Sequence, residues 1–245
     1  ACAVAIPAAA DQPQVEAQPM SRQDYEVMRS GGALRAHPDF RWRMEAMLAM
    51  EDGDEAQARE FLRRAARYAD KPAQALLAEM LWTGRGGPID RPRAYAWMDL
   101  AAERGWVAFV AHREQYWNAL DAREREQALQ IGRGVYDEFG DDVAKPRLAN
   151  LLDRQRRKST GSRTGATVGV RVFTAPEGNR WGGAGVAKPI GTRIAMGREL
   201  TGYYDRKLWS PERYFEWQDA LYAEPATGEV TVGDIDASRA VADDE

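Results

Sequence analysis

The sequence is short of the residues that most site chemistry requires. It has a single cysteine, Cys2, so no intrachain disulfide can form. Its two histidines, His37 and His112, lie far apart in the chain. A zinc site built from Cys and His takes about four such ligands, more than the chain holds, so neither a metal nor a cofactor is expected. No run of about 18 apolar residues occurs, which excludes a transmembrane helix. Neither sign of charge dominates: 34 Lys and Arg stand against 38 Asp and Glu, a net charge of −4. A dedicated nucleic-acid binder is basic over at least one whole domain, so no nucleic-acid partner is expected. What remains is ordinary for a globular protein. The 245 residues are 44% hydrophobic and 29% charged, enough for a packed core in one or two domains.

Enzyme motifs are missing as well. Gly182-Gly183-Ala184-Gly185 invites a phosphate-loop reading, but Lys188 precedes a proline and not Ser or Thr. Gly84-Arg85-Gly86-Gly87 follows a helical pattern, where a dinucleotide fingerprint would follow a strand. Neither histidine has a glycine-elbow serine to serve. The acid pairs Asp52/Asp54 and Asp141/Asp142 fall in polar turns, where carboxylates are expected to stay solvated and unshifted. The expectation is therefore a protein without catalytic residues.

A repeat is present instead. Ala58, Phe61, Leu62, Ala65 and Ala66 follow the i, i+3, i+4, i+7, i+8 spacing of one helix face. At an offset of 36, Ala94, Trp97, Met98, Ala101 and Ala102 repeat it. Each face sets a stripe of alanines beside one large side chain, which lets a neighbouring helix approach closely. A second helix follows the first copy. Pro72 opens it, and Ala73, Leu76, Leu77, Met80 and Leu81 form its apolar face. Gly84 to Pro88 ends it, and Asp90 caps the next helix with Pro92 in its first turn. A partial helix at 39–51 precedes the copies. Two more follow: one capped by Asp121 runs through Phe139, with Ala128, Leu129, Gly132, Val135, Tyr136 and Phe139 inward, and a shorter one closes the array.

The order Ala94, Trp97, Met98, Ala101, Ala102, Gly105, with Leu77-Ala78, Leu81, Gly84 and Gly86 before it, resembles the Sel-one-like repeat (SLR), a relative of the tetratricopeptide repeat. The resemblance covers about residues 39–120. Ala69 and Ala78 stand where the family pattern has glycine, and Phe109 and His112-Arg113-Glu114 depart from it in the second copy. It implies a mainly α fold, a short α-solenoid of antiparallel helix pairs, whose concave face holds a segment of a protein or peptide partner.

The ends carry different signals. Ala1 to Ala10 is small and apolar, and Ala8-Ala9-Ala10 has the form of a signal peptidase site. Residues 1–10 read as a signal peptide remnant cut after Ala10, and 11–21 as a polar linker. That places the protein in the periplasm or outside the cell. An Ala-rich start of a cytosolic protein and a lipoprotein modified at Cys2 stand beside this reading. The helical repeat domain spans 22–158 and a Ser/Thr/Gly linker spans 159–166. A small irregular α+β region is expected at 167–233, with strands at 167–174 and 229–232 and an aromatic helix over 211–222. An acidic tail with five carboxylates and one arginine fills 234–245.

Two sets of residues are candidate contacts. Trp82, Tyr95, Trp106, Tyr116 and Trp117 crowd one stretch of the repeats. Aromatic residues are enriched at interfaces and equally needed between packed helices, and the sequence leaves both roles open. Trp97, on the alanine stripe, belongs to the core. Arg154, Arg156, Arg157 and Lys158 lie in a stretch, 145–171, with eight basic residues and one acid. This is either a solvated cap and linker or a contact for an anionic envelope surface. The first functional reading is an extracytoplasmic scaffold or adaptor. The alternative is a cell-envelope enzyme or accessory with its site in 165–235. The aromatic residues from Tyr203 to Tyr222 are too many to leave in water, and are expected to pack on the array near Tyr136 and Phe139.

Overall fold

The computed structural model describes residues 20–159 and 202–222. The expected signal peptide remnant, the strands at 167–174 and 229–232 and the acidic tail lie outside the described residues, as do the 159–166 linker beyond Ser159 and all of the 11–21 linker but its last two residues. Everything described is helix or connection, with no strand among the described residues. The described part of the C-terminal region is therefore helical and not α+β.

The repeats occupy α3 (Pro38–Glu51), α4 (Glu55–Ala66), α5 (Lys71–Thr83), α6 (Arg91–Ala101), α7 (Val107–Ala119) and α8 (Ala122–Phe139). Each boundary has a local cause. Asp54, Asp70 and Asp90 each accept a hydrogen bond from the backbone amide three residues on, capping α4, α5 and α6. Asp121 and Glu124 form a reciprocal capping box at the start of α8. The alanine stripes are the buried faces: Ala58, Ala65, Ala66, Ala94 and Ala101 have no exposed surface. α3 packs along α4, α5 along α6, and α8 along α6. On α8 the buried residues are Ala128, Val135 and Phe139. Leu129, expected inward, is exposed, because its position turns away from that stripe.

The position after each α4-type helix needs a left-handed residue. Gly105 supplies it after α6 at φ +73°, but Ala69 holds the equivalent place after α4 at φ +61°. A Cβ in that region costs roughly 1 kcal/mol; Ala69 is fully buried there, and its carbonyl is gripped by Arg104. Between α5 and α6, Gly86 lies so close to the Glu55 carbonyl that a Cβ there would meet it at 2.3 Å. Arg59 fixes the same loop, donating to the carbonyls of Met80 (2.6 Å) and Arg85 (2.5 Å). The glycine-rich segment is thus a packed corner of the repeat.

The remaining helices form a second core. α1 (Arg22–Met28) and α2 (Gly31–Ala36) precede the repeats; α9 (Asp141–Ser159), α10 (Arg206–Trp209) and α11 (Pro211–Tyr222) follow them. Val27, Met28, Ala36 and Phe40 from the first helices bury together with Leu148, Leu152, Leu208 and Tyr214 from the last. The aromatics of 203–222 do pack on the helical body, but at the junction of α1–α3 with α9. Tyr136 and Phe139 belong to the repeat core. The reason is that α9 does not stack on α7 as a further repeat helix would, but turns to α2, α10 and α11.

Candidate functional site

Two features concentrate chemistry: a groove on the repeats and a buried polar junction between the two cores. The groove has a volume of about 580 Å³, within the roughly 300–1,000 Å³ typical of binding clefts. Ala56, Arg59, Glu60 and Arg63 form one wall at i, i+3, i+4 and i+7, the face of α4 that flanks its alanine stripe. Gln130, Ile131, Gly134, Val135, Glu138 and Phe139 form the other wall from α8. Leu77 and Leu81 of α5 and Trp97 of α6 lie between them, with Arg93 beside them. Gly134 sits mid-helix, and nothing lies within 4 Å of the place its Cβ would take. A glycine there weakens the helix by roughly 0.5–1 kcal/mol against alanine, so the bare position is not a packing need.

The groove's charges are unevenly matched. Glu138 is paired with Arg67 at 2.6 Å and Glu60 with Arg64 at 3.2 Å, both partners lying outside the lining. Arg93 is held by Asp90. Arg63 has no carboxylate partner among the described residues and rests over the Phe139 ring at 5.9 Å. Arg59 donates only to carbonyl oxygens.

The junction centres on Asp141, at the first turn of α9. Its carboxylate meets Arg104 at 2.7 Å, Lys145 at 2.8 Å and Lys71 at 3.1 Å. Burial alone would raise its pKa; the three cations outweigh that and hold it well below the usual carboxylate range. This corrects the expectation of a solvated, unshifted acid. The turn looks polar in sequence, but the fold folds three basic side chains over it. Lys71, fully buried, also donates to the Leu100 carbonyl and to Glu103, whose carboxylate in turn accepts from the Asp141 amide. Arg104 reaches on to Asp219 of α11 at 3.3 Å. Nearby, Arg43 pairs with the buried Asp70 at 3.0 Å. Burial lifts Asp70 to about 6 despite Arg43. Asp39 accepts from Tyr214 Oη at 2.5 Å and from Gln218 at 3.1 Å. His37 is fully buried against the Tyr214 ring, and neither ring nitrogen reaches a hydrogen-bond partner. Desolvation pushes it down to about 3, with the facing Leu208 backbone offsetting only part of this. The ion pairs and hydrogen bonds of the junction join α3, α5, α9 and α11. This is a clasp that holds the two cores together. Among the described residues, no group of three or more His, Cys, Asp or Glu is placed to hold a metal ion.

The aromatic candidates lie elsewhere. Trp82 stacks face to face on Tyr116 at 4.0 Å, and Tyr95 leans on Trp117 at 4.9 Å. Trp106 stacks on Tyr222 at 4.5 Å, so it helps seat the end of α11. Trp106 and Tyr116 are buried, and Trp82, Tyr95 and Trp117 are half-buried. None of the five lines the groove. At the end of α9, Arg154 bonds the Asn150 carbonyl and Arg156 pairs with Asp153. Arg157 also has a partner, and the Lys158 side chain lies outside the described set. Basic residues here complement the helix dipole. The groove itself was missed in the sequence, although the polar face of α4 beside its alanines was a readable sign of a wall.

The family comparison agrees with the repeat. The Sel1 repeat family model matches residues 46–67 and 71–106, the second frame running from α5 through α6 to Trp106. A crystal structure of a protective antigen from uropathogenic Escherichia coli, described as displaying an SLR fold, is similar at 23% identity and a TM-score of 0.35, over 48% of this chain. The matched part spans 23% of that protein's length. No curated protein matches the chain.

Proposed function

From the Sel1 repeats it carries, we propose that this chain is a scaffold or adaptor that holds a segment of a partner protein in the groove between α4 and α8. The groove carries the reading. It is wide enough for a bound segment and apolar at its centre, and one wall keeps a glycine where alanine would fit and strengthen the helix. Repeat arrays use such extended hollow faces for recognition. The test fills the groove without disturbing the core. Gly134→Trp projects into open space and should leave the melting temperature within a few degrees of wild type. A photo-crosslinker at Gln130 should trap a partner in wild type and lose it in Gly134→Trp. The same crosslinker at Ala111, exposed on α7, should trap nothing specific. Crosslinking at Gln130 that survives Gly134→Trp would remove the groove from the reading.

We also propose an extracytoplasmic address, supported by the small-residue pattern at Ala8 to Ala10. Protein isolated from its native cell should begin at Asp11 by mass spectrometry. An intact 1–10 segment in the cytosolic fraction would overturn this, and a diacylated Cys2 would select membrane tethering instead.

A further inference from the structure

We propose that the groove recognises an acidic segment of a partner, in which carboxylates flank one or two large apolar side chains. This rests on the groove being the partner site and adds the chemistry of what it takes. The argument is one of charge already committed. Both carboxylates of the lining, Glu60 and Glu138, are neutralised by Arg64 and Arg67 from outside it. Arg63 and Arg59 face the same space without any carboxylate. A basic segment would have to compete with Arg64 and Arg67 for Glu60 and Glu138 while meeting Arg63, the lining guanidinium with no polar partner among the described residues. An acidic one meets the Arg63 guanidinium, whose planar donors suit a carboxylate in two-point contact, with the Arg59 charge beside it. Arg63, which rests over the Phe139 ring without a carboxylate, gains most from such a partner. Between the charged walls, Leu77, Leu81, Val135 and Trp97 offer an apolar floor for the side chain between the carboxylates.

The probe is a fluorescein-labelled peptide alternating Asp with Leu, measured by anisotropy against the full chain, with a Lys/Leu peptide as its counterpart. The Asp/Leu peptide should bind, weaken as salt is raised, and lose affinity by about tenfold or more in Arg63→Glu. Arg63→Lys should retain most of the binding, and the melting temperature of both variants should match wild type because Arg63 is exposed. Equal binding of the Lys/Leu peptide, or indifference to Arg63→Glu, would overturn the proposal. If the Lys/Leu peptide binds and Gly134→Trp abolishes it, the groove remains the partner site and only its acidic preference fails. If neither peptide binds and Gln130 traps no partner, both readings fail. The chain's own acidic tail is the rival occupant. If the Asp/Leu peptide binds only after Asp234, Asp236, Asp243 and Asp244 are changed to Asn, the groove is filled in cis and the proposal of a separate partner is overturned.

Discussion

Asp141→Asn is expected to lower the unfolding free energy by about 3–5 kcal/mol, the range for breaking a buried ion pair by removing one member. The size follows from what is left behind. Lys71 is wholly buried and Arg104 nearly so, with a side-chain exposure of 6%. Without the Asp141 charge, the carboxylate left to Lys71 is Glu103, and the one left to Arg104 is Asp219, whose side chain is 43% exposed. Chemical denaturation at neutral pH measures the loss directly. The variant should also respond differently to acid. A carboxylate held below its unfolded value stabilises the protein above that value, and the contribution is lost as pH falls from about 4 downward. Wild type should therefore weaken steeply in that window, and Asp141→Asn should show a shallower slope there. Identical slopes would mean that Asp141 is not bound to the cations in solution.

The second large effect belongs to His37. A histidine whose folded pKa is about 3 makes the protein more stable at neutral pH than in acid, and that difference develops as pH falls from about 6.5 toward 3. The cost reaches about 2 kcal/mol by pH 5, since each unit is worth about 1.4 kcal/mol. Asp70 works in the opposite sense. Its raised pKa gives stability that is complete below about 4 and lost as pH rises through about 6. The difference between wild type and His37→Leu isolates the histidine. The leucine has similar bulk and removes two buried nitrogens without partners, so at pH 7 it should match or exceed wild type. At pH 5 it should be the more stable protein by about 2 kcal/mol or more. A constant gap between the two from pH 7 to pH 5 would show that His37 is already hydrated or protonated in the folded protein.

The repeat was legible in the sequence because its signal is local. Alanines at a helical spacing, recurring after 36 residues, and Asp-Pro or glycine punctuation between them each act through the nearest turn. Asp90 and Asp121 therefore cap the helices that their positions announce. The groove was not legible, because its walls come from α4 and α8, and α8 lies outside the 36-residue register. The junction was hidden for a different reason. Lys71, Asp70 and Asp141 look like ordinary surface charges at helix starts. Only the turn of α9 toward the first helices encloses them. The aromatic cluster shows the same limit from the other side. Its density was visible, but whether Trp106 faced a partner or Tyr222 depended on where a helix more than 100 residues later would lie.

The return of α9, α10 and α11 to the first helices also changes how the molecule comes apart. An open array of repeats is nearly one-dimensional: each unit leans on its neighbours, and the ends can fray while the middle stays folded. Here Lys207 pairs with Asp24 across 183 positions, and Tyr214 bonds Asp39 across 175. The first and last described helices share one core, so the repeats between them are held from both sides. Such distant pairings slow folding, because long loops close before their contacts form. In exchange they bind the repeats into a single cooperative unit that loses its helices and its buried tryptophans in the same transition.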